Sequence, residues 1–371
     1  TGKPPAAAGG RQRAGGAPAR TGGSLICVRS GERSKSNAYT PYFKQSEERP
    51  MKPITGTWFD FYHCNPYEGD TWNAATQQFT AHDWELKMTE MAEAGMDTFV
   101  LLSVALYGKA FYPSEVMPWR WDTVCPDPLE AVLAAGDKLN VSLYLGLGFF
   151  TTPIMGQLSL DGDYSRLRID VAKELAEKYG HHPSFAGWYF PVEAAIREYF
   201  PDNYIAYANE LADRCRKHGP DKVLIAPYGT RTVKADDRFV AQLRSLEVDY
   251  IAYQDELGVN RTTHEEAKRT FASLREAHDR AGKPLWADVE LFRFQGKVLY
   301  PPSFERIERQ LQTVSPWVDK VLGYQYLGMM NKPGSPVHAG HESSVKLYED
   351  YMAFLDRHGL RTPGKERSSH A

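Results

Sequence analysis

Acidic residues follow several apolar runs of this sequence, at the points where strands would end. The runs are WFDFYH, GWYFPVE, YQDELG and WADVELF, and they contribute Asp60, Glu193, Asp255, Glu256, Asp288 and Glu290. Any one of these could serve as a helix cap or an ion-pair partner, but several on one rim suggest chemistry. Two carboxyl groups flanking one bond can cleave a glycosidic linkage, one donating a proton and the other attacking carbon or activating water. The candidate catalytic residues are Glu193, Glu290, Asp255 and Glu256.

Aromatic residues are abundant, at 12% of the chain with 8 Trp and 21 Tyr. Sugar rings stack on aromatic faces, although an aromatic-rich core explains this composition equally well. Residues in or just beyond the same runs could contact a sugar through rings, carboxyl groups or imidazole. The candidate substrate-binding residues are Asp60, Tyr62, His63, Tyr107, Tyr189, Tyr228, Trp286, Asp288 and Tyr326.

The elements that must position these residues alternate between two patterns from Pro53 onward. Eight short apolar runs are typical of buried strands, and they start at Ile54, Asp97, Asn140, Phe185, Lys222, Tyr250, Pro284 and Lys320. A segment with apolar residues at helical spacing follows each run, and several of these segments end at glycine. The alternation predicts a (β/α)8 TIM barrel of the α/β class, with its chemistry at the C-terminal ends of the strands. An open doubly wound sheet fits less well, because no glycine-rich nucleotide loop follows the first run.

Side-chain alternation along the predicted strands indicates which acids point toward the barrel mouth. In the seventh run, Leu285, Ala287, Val289 and Leu291 suit the helix-facing side. The opposite side then carries Trp286, Asp288, Glu290 and Phe292. In the fourth run, Glu193 shares a side with Tyr189 and Gly187. The sixth run leaves two choices open, with either the pair Gln254 and Glu256 or the pair Tyr253 and Asp255 facing inward.

One barrel domain is predicted over residues 51–360, flanked by two tails. Residues 1–50 are rich in Gly, Ala, Pro and Arg, a composition that cannot bury enough surface to offset its ordering entropy. We expect a disordered tail there and another over 361–371. Met51 stands directly before the first strand-like run, which suggests that it is the natural start and that the preceding stretch is an extension.

Charge and cysteine usage bear on partners and location. The formal net charge is −3, which gives no reason to expect nucleic acid, and no apolar run is long enough to span a membrane. The four cysteines are far apart and lack the spacing of zinc sites or disulfide frameworks; they are Cys27, Cys64, Cys125 and Cys215. We expect reduced thiols, a cytoplasmic location, a carbohydrate substrate, no cofactor and no metal, with the oligomeric state open.

The segments GTWFDFYH, GWYFPVE, YQDELG and DVELF, within residues 53–358, resemble the family of domains of unknown function 4434. That resemblance implies a barrel similar to those of glycoside hydrolases. An acid after the fourth strand with a partner after the seventh also resembles the large clan of retaining glycosidases. By that resemblance Glu193 would be the acid/base and Glu290 the nucleophile, although Val192 stands where the clan usually has Asn.

Three other interpretations stay open. A barrel of this kind could bind carbohydrate without turning it over, because fold does not fix function. A metal-dependent hydrolase would need ligands such as His63, His181 and His182, but the last two precede the fourth strand, on the opposite face. A phosphate-binding barrel would use a glycine-rich loop near the end, which NKPGSPVHAGH matches poorly.

Overall fold

The computed structural model describes residues 49–62, 74–148 and 163–361. Candidate residue His63, Cys27 and Cys64 lie outside these ranges, as do residues 1–48 and 362–371 of the two expected tails. Cys125 and Cys215 are buried free thiols. Among the described helices, none combines the length and the apolar character that crossing a bilayer requires.

Eight parallel strands close into a barrel, which confirms the fold predicted from the alternation. Their order around the barrel is β1-β8-β7-β6-β5-β4-β3-β2, so each strand neighbours the strands before and after it in the chain. The bounds are β1 Gly56–Phe59, β2 Thr98–Leu101, β3 Ser142–Gly146, β4 Phe185–Phe190, β5 Lys222–Ile225, β6 Tyr250–Gln254, β7 Trp286–Glu290 and β8 Lys320–Tyr324. All eight coincide with the eight apolar runs.

A helix follows each strand. The bounds are α1 Ala81–Glu93, α2 Pro128–Leu139, α3 Asp163–Tyr179, α4 Asp202–Arg216, α5 Asp237–Ser245, α6 His264–Ala281, α7 Phe304–Val314 and α8 Ser343–Arg357. Local signals fix several ends: Thr80 forms a capping box with Asp83, and Thr263 forms one with Glu266. Gly282 ends α6 in the left-handed conformation, at φ 69°, which glycine adopts without steric cost.

The two faces of each strand bury different layers. The outward side chains of β7, including Ala287 and Val289, belong to the large core between the barrel and its helices, as the alternation predicts. A second core fills the barrel itself. Its members include Trp58, Tyr144, Tyr189, Leu224, Ala252, Trp286 and Leu322. Tyr250 and Ala252 face this interior, so the inward side of β6 continues to Gln254.

The loops that follow the strands carry small sheets of their own. After β2, residues Ala105–Leu106 and Lys109–Ala110 pair as a hairpin, and Trp119–Arg120 extends it. Tyr107 and Gly108 form its turn at φ 53° and 77°, a geometry that matches the twist of the flanking strands. After β7, Arg293–Gln295 pairs with Val298–Tyr300. These insertions stand at the end of the barrel where the predicted site lies.

A buried ion pair fastens α1 to the segment that follows β8. Lys87 Nζ donates to Glu90 Oε2 at 2.8 Å and to Asn331 Oδ1 at 2.8 Å, and Lys87 is wholly buried. Burial lowers the pKa of Lys87, while the Glu90 charge raises it. Each buried charge is therefore stabilised by the other.

Replacing Lys87 by Met should lower the free energy of unfolding by about 3–5 kcal/mol, because it leaves the Glu90 charge buried without its partner. Lys138→Met is the matched control. Lys138 of α2 pairs with Glu85 of α1, the helix that carries Lys87, at 2.8 Å between Nζ and Oε1, but this pair is exposed. That change should cost less than about 1 kcal/mol. Urea unfolding followed by circular dichroism measures both, and equal losses would contradict the prediction.

Candidate active site

Glu193 lies just beyond the end of β4, with its side chain exposed at the C-terminal end of the barrel. Gln254, the last residue of β6, donates from Nε2 to Glu193 Oε1 at 2.9 Å and to the Ala226 carbonyl at 3.3 Å. The loops after β4 and β5 are also tied together, since the Tyr228 N–H donates to the Ala194 carbonyl at 3.0 Å. Glu193 is therefore oriented at the barrel mouth by Gln254, which is itself bonded to the backbone that follows β5.

Glu290 is the last residue of β7 and is 4% exposed. Its Oε2 accepts a hydrogen bond from the Val259 N–H at 2.7 Å, and the Gly258 N–H also bonds to the carboxyl group. A Cβ on Gly258 would lie 2.6 Å from Glu290 Oε2, so only glycine lets the backbone approach this closely. Burial and the nearby Asp255 charge raise the pKa of Glu290 well above its usual range.

Asp288 lies two residues earlier on β7, on the same inward face and opposite Gln254 in the register. It is also 4% exposed, and its Oδ1 has no hydrogen-bond partner among the described residues. Burial raises the pKa of Asp288 well above its usual range, and the charges of Glu290, Asp255 and Glu193 raise it further. The carboxyl groups of β4 and β7 are therefore close enough to influence one another.

Asp255 and Glu256 point away from the barrel axis or into the surrounding loops. Asp255 Oδ2 accepts from Gln310 Nε2 of α7 at 2.8 Å, and its Oδ1 accepts from the Leu257 N–H at 3.1 Å. Glu256 Oε2 accepts from the N–H groups of Gly229 and Thr230 at 2.9 and 3.1 Å. The strand-6 alternation that the sequence left open thus sends Gln254 inward and Asp255 toward α7, and both acids brace the loops around Glu290.

Asp60 and Tyr189 complete the inner wall of the site. Asp60, after β1, is buried, and its Oδ2 accepts from Gln325 Nε2 at 3.1 Å. Tyr189 of β4 packs edge-on against Trp58, with ring centroids 5.9 Å apart. Burial raises the pKa of the Tyr189 hydroxyl well above its usual range, and the charges of Glu193 and Asp288 add to the effect. Tyr189 therefore lies near Glu193 and Asp288, whereas Asp60 is bonded to the residue that follows β8.

Three predicted aromatic contacts lie in the loops around the mouth. Tyr62, after β1, packs on Trp121 with ring centroids 4.9 Å apart. Tyr107 is at the hairpin turn after β2. Tyr228, after β5, lies under the guanidinium group of Arg261, 5.7 Å from its ring centroid. All three are partly exposed.

Two other predicted contacts lie away from the mouth. Trp286 begins β7 and stacks on Tyr250 at 4.1 Å, about 13 Å below the level of Glu290 at the strand rise of roughly 3.3 Å per residue. Tyr326 is wholly buried in the helix layer, where its hydroxyl donates to Glu90 Oε2 at 3.2 Å. Trp286 closes the N-terminal end of the barrel, and Tyr326 packs outside it.

The prediction missed Gln254, Gln310 and the two tryptophans of the β2 loop. The inward position of Gln254 could have been predicted, because it continues the alternation of Tyr250 and Ala252. The stretch WRW at 119–121 is a cluster of aromatics outside any predicted element, and Trp119 is 68% exposed. Gln310 gave no signal, because a polar residue on a helix normally faces solvent.

The buried acids make the stability of the fold depend on pH. Burial raises the pKa of Asp255 to about 6, against 3.8 for an ordinary Asp carboxyl. Between these values the folded protein binds more protons than the unfolded chain. The stabilising contribution is therefore complete below the unfolded pKa and is lost as pH rises through the folded one.

We expect Asp255→Asn to remove this share of the pH dependence. From about pH 4 to about pH 7 the variant should gain about 2 kcal/mol of unfolding free energy relative to the wild type. Asn keeps the acceptor for the Leu257 N–H, and rotation of the Gln310 amide supplies an acceptor for the new NH2 group. Denaturant unfolding across pH measures the difference, with exposed Asp213→Asn as control. A difference that stays constant with pH would contradict the prediction.

Comparison with solved structures finds the same fold in carbohydrate-active proteins. A putative alpha-L-fucosidase from Bacteroides thetaiotaomicron matches with a TM-score of 0.66 and 19% identity, covering 88% of this chain and 99% of that chain. A GH99 endo-alpha-mannosidase from the same organism matches with a TM-score of 0.50 and 9% identity, covering 85% and 100%. At these identities the likeness concerns the fold.

Comparison at the level of sequence gives two results. No curated protein matches the chain. The sequence model of one family, described as a domain of unknown function (DUF4434), matches residues 54–337, a range that includes all eight strands and the acids at their ends. The chain belongs to the DUF4434 family.

Proposed function

We propose that this protein is a glycoside hydrolase that cleaves a glycosidic bond between Glu193 and Glu290 at the C-terminal end of the barrel. The observation that supports it best is that Glu193, just after β4, lies close enough to Asp288 of β7 for its charge to act on that carboxyl group, two residues before Glu290. Glu193 is held there by Gln254, and Glu290 by the N–H groups that follow β6. Cleavage by a carboxyl pair needs two such groups on either side of the anomeric carbon.

Glu193 is the proposed acid/base. Its exposed position leaves a path for the leaving group and for the incoming water. The Gln254 amide, at 2.9 Å, orients the carboxyl group. In the first step Glu193 donates its proton to the glycosidic oxygen, and in the second it removes a proton from water.

Glu290 is the proposed nucleophile of a retaining mechanism. Two backbone N–H groups fix its carboxyl group and favour its charged form, which attacks the anomeric carbon and forms a glycosyl ester. Burial and Asp255 oppose that charge. Activity should therefore require a pH above the ordinary pKa range of a Glu carboxyl group.

The rim supports carbohydrate as the substrate class. Tyr62 and Trp121 form a packed aromatic pair on one side, Trp119 is largely exposed, and Phe294 is exposed on the hairpin after β7. Flat apolar rings beside hydrogen-bonding groups suit the two kinds of surface that a sugar presents. Tyr228 contributes a further partly exposed ring after β5.

A non-catalytic carbohydrate-binding barrel is the second candidate. The observation that favours it is the burial of Asp288 and Glu290, each 4% exposed. A sugar could then rest on the aromatic rim without reaching the acids of β7. The two candidates differ in whether a bound glycan is cleaved.

Replacing Glu193 by Gln should lower kcat by roughly 10²–10⁴-fold on any glycoside that the protein cleaves, because the variant cannot donate a proton. Glu290→Gly should be inactive, and added azide should restore turnover by forming a glycosyl azide of inverted anomeric configuration. The substrates to test are aryl glycosides and natural oligosaccharides. Turnover is measured by the release of product, and the anomeric configuration of the azide product is determined by nuclear magnetic resonance.

Glu198→Gln is the matched control, because Glu198 lies on the same loop as Glu193 but pairs with Lys234 at 2.9 Å on the exposed surface. It should retain full activity. Turnover that survives both Glu193→Gln and Glu290→Gly would contradict the proposed pair. Calorimetric binding of glycans without cleavage of any of them would favour the non-catalytic barrel.

A further inference from the structure

A second cluster of polar groups lies outside the barrel, between α2 and the turn that precedes β4. It comprises Glu130 in the first turn of α2 and the adjacent pair His181 and His182. One potential ligand atom from each residue lies within 4.8 Å of the other two. The two imidazole rings are 4.1 Å apart, tilted by 37°. The turn before β4 is at the opposite end of that strand from Glu193.

The orientation of His182 is fixed by neighbours that leave one ring nitrogen facing the cluster. Asp137 Oδ2 lies 2.6 Å from His182 Nδ1, and Asp137 Oδ1 accepts from the Ser184 N–H at 2.8 Å. His182 Nε2 then points at Glu130 Oε2, 3.1 Å away. A carboxylate on the far nitrogen of a histidine is the usual arrangement behind a metal-bound imidazole.

The spacing suits a transition metal with bonds of about 2.0–2.1 Å to nitrogen and oxygen. Two ligands of such a tetrahedral ion stand about 3.3 Å apart, close to the observed separation of His182 Nε2 and Glu130 Oε2. His181 is exposed, and the Glu130 side chain is 47% exposed. An ion can therefore enter from solvent, and water can occupy its fourth position.

We propose that Glu130, His181 and His182 bind one divalent transition-metal ion, with Zn²⁺ as the representative, and that Asp137 is the positioning residue. The ligand set of two imidazoles and one carboxylate suits Zn²⁺, Co²⁺ and Ni²⁺ rather than Mg²⁺ or Ca²⁺. The site has a structural role, because the ion joins α2 to the start of β4. It is separate from the proposed hydrolysis and does not depend on it.

The test is a Zn²⁺ titration of the full chain without an affinity tag, after treatment with a chelator. Isothermal calorimetry should show one Zn²⁺ per chain for the wild type. His181→Ala and Glu130→Gln, both at exposed side chains, should lose this binding. Asp137→Asn should weaken it by roughly 10–100-fold, as expected for a residue that orients a ligand.

His358→Ala is the matched control, because His358 Nε2 also faces a glutamate, Glu308 Oε1 at 3.9 Å, but no third ligand joins this pair within the described part of the chain. It should bind Zn²⁺ as the wild type does. Zn²⁺ should also raise the Tm of the wild type and of this control, but not that of His181→Ala. Absence of saturable binding by the wild type, or equal binding by His181→Ala and the wild type, would overturn the proposal.

Discussion

The inward face of β7 imposes the constraint on which the site depends. A closed barrel sends every second side chain toward its axis, so Trp286, Asp288 and Glu290 enter the same low-dielectric interior. The apolar ring of Trp286 is stable in that interior, where it stacks on Tyr250. Asp288 and Glu290 place carboxyl groups in the same interior, and burial disfavours the charged forms of these groups. The same alternation thus places a packed ring at one end of the strand and buried carboxyl groups at the other.

The surrounding loops compensate for that burial by supplying hydrogen-bond donors. The turn after β6 aims its N–H groups at Glu290, and the approach is close because residue 258 is glycine. Glu256 in turn accepts from the N–H groups of the loop after β5. Asp255 and Glu256, which the sequence offers as catalytic acids, therefore hold together the backbone that positions Glu290. Acids next to one another in sequence have different tasks because their side chains leave the strand end in different directions.

The two ends of the barrel differ in what their polar groups do. At the N-terminal end of β4, His182, Asp137 and Ser184 form bonds that lock α2 to the barrel. At the C-terminal end, Asp288 Oδ1 has no partner within the described part of the chain. Satisfied polar groups stabilise a fold, whereas a buried carboxyl oxygen without a partner costs stability and is typical of functional sites. This contrast supports chemistry at the mouth and a structural role for the histidine cluster.

The sequence by itself determined the eight strands, the eight helices and the family, because each pattern repeats locally with the period of its element. It also determined which side of β7 carries Asp288 and Glu290, since alternation needs only neighbouring residues. The tertiary structure alone decided that Asp255 bonds to Gln310 of α7, that Tyr326 meets Glu90 of α1, and that Glu130 faces His182. These partners lie 52 to 236 residues apart in the sequence. The local periodicity of a helix or strand carries no information about which distant side chains come into contact.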